Sequence, residues 1–581
     1  MNPTARPYAY WRAMAPDEAV QAAYAAAEHH RDPAMFISMK PLDAALAEAR
    51  ALMEAGPAGK PLYGLPFAVK DNIDVAGMET TAACPAFAYR AQRSAFAVAR
   101  LEAAGAICIG KTNLDQFATG LVGVRSPYGV PRNSLDPALV PGGSSSGSAV
   151  AVGAGIVAFA LGTDTAGSGR VPAALNGIAG LKPSLGLLSA TGMVPACRTL
   201  DTISVFAAKS ANAAQAAAAA QGYDPADFLS RKLPPANVMP VPPHFSVGVP
   251  LKAQRQFFGD SQASEAYERD LETLAGFGAT IAEIDFEPFF AVARLLYEGP
   301  WVAERYHAVR TLIGTDPQAL HPVTRGIISG AAKFDAVAAF DAFYRLADMK
   351  RALEPVLASL DCLAVPSIPT VYTVEEVLAD PVTLNSNLGT YTNFVNLLDL
   401  AAFSVPVGRR DDGLPSSLTL IAPAGSDARL AGMADMLETG RREDRFPVAE
   451  PGKVTLAVVG AHLSGMPLNH ELTTRGASFL AATRTTPDYR LYALAGTTPP
   501  KPGLLRVAQG EGEPIAVELW SLDEAAFGSF VAAIPAPLGI GTLCLTDGGT
   551  AKGFLVEAEA VRGARDISGY GSWRAFCAAP A

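Results

Sequence analysis

Histidine and cysteine are scarce in this chain, and their positions limit its chemistry. The 581 residues contain seven histidines, and none lies between residues 31 and 243. No two cysteines form a CxxC pair and none has a histidine close by, so neither a zinc site nor a disulfide framework is expected. The six cysteines lie in apolar contexts and are predicted to be buried, reduced thiols: Cys84, Cys108, Cys197, Cys362, Cys544 and Cys577.

Charge is also sparse. Only 18% of the residues are charged, half are hydrophobic, and the net charge is −10. Lysine and arginine do not cluster, so a nucleic-acid surface is not expected. The chain has no apolar run of about 18 residues and no apolar signal core near residue 1, which argues against a membrane partner. The composition is that of a globular enzyme, and we expect a soluble, cytoplasmic protein.

The length favours two domains, because single cores rarely extend to this size. A charged segment that contains proline and glycine, residues 440–452, has the composition of a domain boundary. We predict a first domain over residues 1–445, a linker over 446–453 and a second domain over 454–581. Strand and helix patterns alternate in the first domain, which predicts an α/β fold with a mixed central sheet flanked by helices. The second domain has short strands and one helix over 523–533, which predicts a smaller α+β fold.

Several elements can be placed from hydrophobic spacing. Apolar residues recur at helical intervals over 41–54 and 336–358. Residues 286–312 form a longer helical region in which Pro300 predicts a break. Residues 111–117 are predicted to form a capped loop that enters a helix. The alanine-rich segment 210–221 is predicted to form a surface helix.

Two clusters of glycine and serine, residues 142–148 and 167–169, are separated by an apolar run of small residues over 149–161. The run predicts a buried segment with a polar loop at each end, which suits phosphate binding or nucleophilic catalysis. The GxxxxGK[ST] pattern of a phosphate loop is absent. Residues 143–147 match the GxSxG nucleophile elbow superficially, with Ser145 as the nucleophile, but no histidine base lies nearby.

A lysine is the alternative base. Lys70 follows the apolar residues Phe67, Ala68 and Val69, and burial of an amine lowers its pKa toward neutrality. A serine between the lysine and a second serine could relay a proton, and backbone N–H groups near Gly167 could bind an oxyanion. A lysine at the end of a strand that reaches solvent is the other interpretation.

Three separated motifs at these positions resemble the amidase signature family, whose members are Ser-Ser-Lys hydrolases. The motifs are Lys70 before Asp71-Asn72, the cluster GGSSSGS over 142–148, and GTDTAGS over 162–168. Ser144 and Ser168 are 24 residues apart (168 − 144), as in that family. The only small departure is Ala166, where many members have glycine.

The resemblance implies a role for each matching residue. Ser168 would be the nucleophile, Ser144 the bridging serine with an unusual cis peptide, and Lys70 the base. The backbone amides of four consecutive residues would form the oxyanion hole: Thr165, Ala166, Gly167 and Ser168. The family's mechanism implies no metal and no organic cofactor.

The branch of the family is indicated by two further segments. The loop over 120–129 and the segment YEGPWVAERY over 297–306 resemble allophanate hydrolases. The resemblance implies that Tyr297 and Arg305 bind the carboxylate of a small substrate, since arginine can grip a carboxylate through two parallel N–H bonds. Gly120 is a further substrate-binding candidate. Simple helix packing is the other interpretation of Tyr297 and Arg305. That branch also carries an appended domain, as the residues after 450 suggest here.

The second domain carries its own motif. Residues 458–469 resemble the first loop of γ-glutamylcyclotransferase-like folds, although the glutamate expected later in such folds is not found at 533–536. His462 is a candidate to act on the product of the first domain, and a structural histidine is the alternative. The branch further implies a homodimer and functional coupling to a urea carboxylase.

The expected function is hydrolysis of the terminal amide of allophanate, which releases ammonia and leaves N-carboxycarbamate to decarboxylate. Two alternatives remain open: an amidase for other small carboxylated amides such as malonamate, and a glutaminase-type subunit of a tRNA amidotransferase. A catalytically silent scaffold is disfavoured, because Lys70, Ser144 and Ser168 are all present.

Overall fold

The structure, a computed structural model, describes residues 2–442 and 452–579. It divides into two compact units. Unit 1 comprises Met1–Val238, Val247–Gly276 and Ile281–Gly440, and unit 2 comprises Met239–Ser246, Phe277–Thr280 and Arg441–Ala581. The predicted linker and domain limits stay predictions, because residues 446–451 of that linker lie outside the described residues.

An eleven-stranded mixed sheet is the centre of unit 1. Eleven of the following strands form this sheet, and β3 and β4 form a separate pair: β1 Phe36–Met39, β2 Pro66–Lys70, β3 Glu79–Thr80, β4 Tyr89–Arg90, β5 Ile107–Thr112, β6 Phe159–Asp164, β7 Ala179–Lys182, β8 Thr202–Ala207, β9 Phe245–Pro250, β10 Ala279–Ile284, β11 Cys362–Pro366, β12 Leu400–Arg409 and β13 Pro415–Pro423. The order in the sheet is β1-β5-β2-β6-β8-β7-β12-β13-β11-β9-β10, and β3 pairs with β4 separately. Strand β2 runs parallel to β5 and β6, whereas β12 runs antiparallel to β7 and β13. The predicted mixed α/β fold is confirmed.

The helices of this unit follow the predicted spacing in most places. They are α1 Tyr8–Arg12, α2 Pro16–His30, α3 Leu42–Ala55, α4 Phe96–Ala103, α5 Ser146–Gly153, α6 Val171–Leu175, α7 Ser210–Ala220, α8 Ser261–Gly276, α9 Glu287–Glu298, α10 Val302–Thr315, α11 Pro322–Ser329, α12 Ala336–Ala358, α13 Val374–Ala379, α14 Thr383–Leu388, α15 Phe394–Leu397 and α16 Asp427–Thr439. The break predicted at Pro300 separates α9 from α10. The apolar run 149–161 is buried as predicted, and all eight residues of α5 are inaccessible to solvent.

Two element predictions are wrong. Residues 111 and 112 end strand β5, and only a single 3-10 turn over Gln116–Ala118 follows, with Phe117 in the left-handed region at φ 51°. Helix α7 is not a surface helix, because its alanines are buried against α4, α16 and β8. Alanine favours a helix on the surface and also permits close packing between elements, so propensity alone did not separate the two cases.

Unit 2 has an α+β fold, as predicted, with more strands than the sequence indicated. Its strands are β14 Lys453–Val458, β15 Ser478–Arg484, β16 Tyr489–Ala493, β17 Pro502–Arg506, β18 Ala516–Asp523, β19 Leu538–Cys544, β20 Thr550–Val556 and β21 Arg565–Asp566, and its helices are α17 His470–Thr473, α18 Glu524–Ala532 and α19 Trp573–Ala578. A five-stranded sheet has the order β15-β18-β14-β20-β19, and β17-β16-β21 form a second sheet. The missed strands β19 and β20 contain glycines, which weaken the strand signal.

The cysteines are unpaired thiols, as predicted. Four are buried, in agreement with the prediction, but Cys544 is only partly buried and Cys577 is exposed. Cys577 lies in α19 near the end of the described residues, where fewer neighbours cover it. No helix among the described residues is both long and apolar enough to cross a membrane.

Candidate active site

Parallel strands bring the predicted base to one edge of the central sheet. Val69 of β2 pairs with Leu161 of β6, so Lys70 and the last residues of β6 end side by side. Helix α5 begins at Ser146, directly after the cluster that contains Ser144, and contacts both β2 and β6. Two strand ends and a helix start therefore converge, which places Lys70 beside Ser144 although 74 residues separate them.

Three hydroxyl oxygens surround the Lys70 amine. Its Nζ lies 2.8 Å from Ser144 Oγ, 3.0 Å from Ser145 Oγ and 2.7 Å from Thr163 Oγ1. Ser145 Oγ donates its own hydrogen to the carbonyl of Thr163, so it accepts from the lysine. A neutral amine has two N–H donors and one lone pair. If those donors serve Ser145 and Thr163, the lone pair is left for the Ser144 hydroxyl.

Burial makes the neutral amine accessible near pH 7. The Lys70 side chain is fully buried, and desolvation lowers its pKa from 10.5 to about 7, although Asp115, Asp201 and Asp164 oppose the shift. A charged amine loses its hydration when buried, so the neutral form is favoured. The strand-end lysine that reaches solvent is therefore excluded.

The two predicted serines complete a line of hydrogen bonds. Ser144 Oγ lies 3.0 Å from Ser168 Oγ, and the Gly143–Ser144 peptide bond is cis. Ser145, the nucleophile of the alternative GxSxG interpretation, binds Lys70 and the Thr163 carbonyl instead. The structure thus brings Lys70, Ser144 and Ser168 together in the order that a proton relay requires.

A buried ion pair holds the loop that carries Ser168. Arg170 donates from Nη2 to Asp164 Oδ1 at 2.9 Å and from Nε to Asp164 Oδ2 at 3.0 Å, and both side chains are inaccessible. The same carboxylate accepts the backbone N–H groups of Gly167 and Gly169. Burial alone would raise the pKa of Asp164, but Arg170 and these donors hold that pKa below its usual value.

The backbone amides near Ser168 are mostly available to a ligand. The Gly167 N–H already donates to Asp164, which removes it from the predicted oxyanion hole. In the described part of the chain, the amides of Thr165, Ala166 and Ser168 have no acceptor. Gly167 has φ +135°, and a Cβ there would lie 2.5 Å from Thr392 Oγ1. Only glycine fits this position, directly before the nucleophile candidate Ser168.

A second loop wraps the Gly143–Ser144 turn. The Asp115 N–H donates to the Ser144 carbonyl at 3.0 Å, and the Gly143 N–H donates to the Leu121 carbonyl at 2.8 Å. A Cβ added to Gly143 would lie 2.0 Å from Asp115 Oδ2, and one added to Gly120 would lie 2.5 Å from the same atom. Gly120 therefore packs against Asp115 beside the triad, and its contact with substrate stays a prediction.

The two predicted carboxylate-binding residues face each other across the break between α9 and α10. Arg305 Nη2 lies 3.5 Å from Tyr297 Oη, and the guanidinium carbon lies 5.4 Å from the centre of the tyrosine ring. Arg305 Nη1 donates to the Ala118 carbonyl and to Thr119 Oγ1.

Arg305 is 2% exposed, and its Nε has no partner. Among the described residues, no carboxylate lies within 4 Å of it. Asp201 and Glu304 stabilise the buried guanidinium only from farther away, so the site can accept an anion in direct contact with Arg305.

The candidate residue of unit 2 lines a separate cavity of about 260 Å³. His462 Nε2 lies 3.0 Å from Glu471 Oε2, and its ring stacks on Phe554 at 5.1 Å. Burial lowers the His462 pKa, while Glu471 acts in the opposite direction. Lys501 lines the same cavity. The histidine therefore has both a polar partner and an aromatic neighbour, and either of the two sequence interpretations suits this environment.

Some residues of the site were missed. Asp164 and Arg170 are the only charged residues over 141–181, and two opposite charges six residues apart in an otherwise apolar stretch could have predicted their pairing. The contacts of Ser145 and Thr163 with the Lys70 amine were not predicted, because they depend on where the lysine side chain ends. In the described ranges, no group of three or more His, Cys, Asp or Glu side chains is placed to hold a metal ion.

Comparison with known families matches both units. The amidase family model matches residues 18–431, and the model named allophanate hydrolase C-terminal domain matches residues 454–578. The solved structure of Kluyveromyces lactis allophanate hydrolase is similar with a TM-score of 0.78 and 40% identity, covering 98% of each chain.

Sequence relatives are of two kinds. The urea amidolyase of Lachancea kluyveri is 45% identical over 543 residues, which are 89% of this chain and 30% of that protein. The chain thus spans less than a third of the length of this curated relative. A glutamyl-tRNA(Gln) amidotransferase subunit of Symbiobacterium thermophilum is 37% identical over 68% of this chain and 86% of that protein. Since the amidase model matches well over half of its residues, the chain belongs to the amidase family and is an amidase-type hydrolase.

Proposed function

We propose that this chain hydrolyses the terminal amide of allophanate and releases ammonia. The observation that carries the proposal is the line from Lys70 through Ser144 to Ser168, with the buried guanidinium of Arg305 on helix α10, whose Nε has no partner. The 40% identity along nearly the whole length of a chain named allophanate hydrolase supports this substrate.

The proton path begins at neutral Lys70. The amine nitrogen lies 2.8 Å from Ser144 Oγ, and Ser144 Oγ lies 3.0 Å from Ser168 Oγ. With the amine neutral, rotation of the two hydroxyls lets Ser144 donate its hydrogen to the lone pair and accept the hydrogen of Ser168. Because the pKa of the amine is about 7, it can both take a proton and return it near neutral pH. No metal or organic cofactor takes part in this scheme.

Ser168 Oγ then forms a bond to the terminal carbonyl carbon. The amides of Thr165, Ala166 and Ser168 stabilise the resulting oxyanion, and each such donor contributes roughly 10²-fold or more to the rate. The proton returns through Ser144 to the nitrogen, the carbon–nitrogen bond breaks, and ammonia leaves. Water then attacks the acyl-serine, gives up a proton by the same path and releases N-carboxycarbamate.

Arg305 holds the substrate by its carboxylate. Its Nε has no hydrogen-bond partner among the described residues, and a hydrogen on Nη2, which lies 3.5 Å from Tyr297 Oη, is on the same side of the guanidinium. A carboxylate fits this pair of donors side-on. Tyr297 would donate to the same carboxylate. The contact of Gly120 with substrate stays a sequence-based prediction.

A substrate panel tests the assignment. Ser168→Ala is expected to abolish ammonia release from allophanate, because no other hydroxyl has both the relay and the free amides. Arg305→Gln is expected to reduce kcat/KM about 100-fold or more on allophanate and malonamate, and far less on a neutral amide such as propionamide. Ammonia is measured in each case. Full activity of Ser168→Ala, or an equal loss on all three substrates for Arg305→Gln, would contradict the proposal.

The tRNA amidotransferase alternative fits less of the chain. The similarity to that subunit covers 68% of the residues, whereas the similarity to allophanate hydrolase covers 98%. The match of residues 454–578 to an allophanate hydrolase domain also favours the first proposal. Ammonia release from allophanate by the purified chain alone would exclude an obligatory partner subunit. Malonamate remains the alternative substrate, and the same panel decides it.

We further propose that His462 of unit 2 assists the loss of CO2 from N-carboxycarbamate. The support is its cavity, where the Glu471 carboxylate orients the imidazole and Lys501 supplies positive charge. His462→Ala is expected to leave the first ammonia release unchanged and to slow CO2 release. If both rates are unchanged, His462 has a structural role.

A homodimer is proposed from one exposed helix face. Helix α12 presents four exposed apolar side chains at helical spacing: Val337, Phe340, Phe343 and Tyr344. Contiguous apolar surface of this kind is typical of protein interfaces. Functional coupling to a urea carboxylase, which would supply allophanate, and a cytoplasmic location remain sequence-based predictions.

A further inference from the structure

Unit 1 contains a cavity of about 390 Å³ next to the carboxylate-binding pair. Tyr297 lines this cavity, and its hydroxyl oxygen also lies 3.5 Å from Arg305. The side chain of Arg125 lines the cavity as well. Tyr297 therefore lies beside Arg305 of the site already described and lines the same cavity as Arg125.

Arg125 is held in place but not neutralised. Its Nη1 donates to the Thr119 carbonyl at 3.0 Å and its Nη2 to the Pro381 carbonyl at 2.5 Å. The residue is 1% exposed, its Nε has no partner, and within residues 2–442 and 452–579 no carboxylate lies within 4 Å of its guanidinium. Thr119 thus accepts from Arg125 through its carbonyl and from Arg305 through its hydroxyl, which fixes the two cations on one loop.

The rest of the lining also favours an anion. Lys333 lines the cavity and is exposed, and Glu298 is its only acidic lining residue. The charged lining is therefore net positive by one, from two cations and one anion. Asn385 accepts the Leu121 N–H through Oδ1, which leaves its amide hydrogens as donors. The volume suits a small organic acid and is too small for a polymer.

We propose that this cavity is an anion antechamber, in which Arg125 binds the carboxylate of the incoming substrate before Tyr297 and Arg305 receive it. The ligand class is a small organic carboxylate, and the inference rests on the proposed function for the identity of that substrate. The exposed Lys333 attracts the anion, and the guanidinium of Arg125, which lines the cavity, binds it.

Kinetics with paired substrates test the antechamber. Arg125→Gln is expected to lower kcat/KM for allophanate about tenfold or more while kcat changes by less than about twofold, because capture is weakened and chemistry is not. Lys333→Gln is expected to lower the same ratio by about threefold and to reduce its dependence on ionic strength, whereas the exposed Lys252→Gln leaves both unchanged. Lys252→Gln is expected to leave propionamide hydrolysis unchanged, and the other two changes are expected to lower it much less than they lower kcat/KM for allophanate.

Arg125→Lys separates charge from packing. It keeps a cation in the cavity and should recover part of the loss in kcat/KM, with a melting temperature close to that of the original chain. If Arg125→Gln and Arg125→Lys lose activity equally on propionamide and allophanate, Arg125 only packs the loop and the proposal is wrong. It is also wrong if neither Arg125→Gln nor Lys333→Gln changes kcat/KM for allophanate.

Malonate binding gives a test that does not depend on turnover. In Ser168→Ala protein, calorimetric titration with malonate is expected to show two sites, one lost with Arg125→Gln and the other with Arg305→Gln. A single site that Arg305→Gln removes and Arg125→Gln leaves intact would overturn the antechamber. Should the original chain fail to hydrolyse allophanate, the proposed function fails, and the number of malonate sites still decides the antechamber.

Discussion

At the scale of single residues, the chemistry depends on an amine that is buried without a carboxylate partner. Lys70 contacts hydroxyl oxygens, which can accept its hydrogens without stabilising its charge as a carboxylate would. Lys111, also buried, lies 3.2 Å from the Asp71 carboxylate and shows the contrasting arrangement. The difference in partners explains why one lysine can act as a base and the other serves to hold β5.

The pH dependence of hydrolysis follows from this amine. Protonated Lys70 has no lone pair, so kcat/KM is expected to fall about tenfold per pH unit below pH 7 and to level off above it. Asp201, whose pKa burial raises to about 6, bonds Thr165 and would steepen the fall below that pH. The measurement is the pH profile on propionamide, which does not ionise. Lys70→Arg should be inactive throughout, and a flat profile for the unchanged chain would contradict the role of Lys70.

The Asp164–Arg170 pair predicts a large effect on stability. Asp164→Asn leaves a buried guanidinium without its counter-ion and weakens the bonds to Gly167 and Gly169, which is expected to cost about 3–5 kcal/mol in the free energy of unfolding. Urea denaturation measures it. Glu354→Gln, in an exposed pair with Arg351, is the matched control and should change stability by less than about 1 kcal/mol. Similar values for the two variants would show that the buried pair is not needed.

How far the site could be predicted differs from residue to residue. Lys70, Ser144 and Ser168 lie in motifs whose spacing marks them, and the structure places them within hydrogen-bonding distance. The hydrogen bond of the Gly167 amide to Asp164 could not be predicted, because it depends on the φ of one residue. The sequence did not indicate that Arg125 is buried, because an arginine in a loop is exposed in most proteins.

At the scale of elements, α5 shows how small residues position the site. A Cβ added to Gly147 would lie 2.3 Å from the Met35 carbonyl oxygen and 2.7 Å from the backbone nitrogen of Asn113. The first turn of the helix can therefore approach the end of β5 closely, and this contact holds Ser144 beside Lys70. The alanines and glycines of this segment, which in sequence indicate only burial, set the distance between helix and sheet.

Gly147→Ala is expected to push α5 away from Met35 and Asn113 at the end of β5. The overpacking should cost about 1–3 kcal/mol in the free energy of unfolding and lower kcat, because the Ser144–Lys70 distance grows.

Gly314→Ala is the control, since Gly314 lies in α10 with nothing within 4 Å of an added Cβ and should gain up to about 1 kcal/mol. Thermal unfolding and ammonia release measure both. If Gly147→Ala behaves like Gly314→Ala, the close packing is not what positions the triad.

Element positions were predictable where periodicity and proline agreed, as for α9, α10 and the break at Pro300. They were not predictable where tertiary contacts decide. Residues 111–117 have a helix-like start, but β5 continues to Thr112 because its neighbour β2 extends alongside it. Helix α7 is largely buried because two helices and three strands pack against it, a fact that its alanines alone could not reveal.

At the scale of the whole molecule, the exposed face of α12 predicts the oligomeric state. Phe340 and Tyr344 are 60% and 65% exposed on the same helix face. Phe340→Asp is expected to convert a dimer to a monomer, because a charge in an apolar interface is costly. Sedimentation velocity measures this. Arg345→Ala, on another face of α12, should leave the dimer intact, and an unchanged mass for Phe340→Asp would rule out this face as the interface.

The buried Lys70 amine also connects catalysis with folding. In the folded chain the pKa is about 7, whereas in the unfolded chain the amine recovers its ordinary value of 10.5. Between these two values the unfolded chain binds one more proton at this position, so the free energy of unfolding contributed by Lys70 rises with pH, by about 1.4 kcal/mol per unit. Below pH 7 both forms are protonated and the contribution no longer changes. Unfolding near pH 8.5 therefore takes up a proton from the buffer, and the heat of unfolding of this enzyme depends on the ionisation enthalpy of the buffer that supplies it.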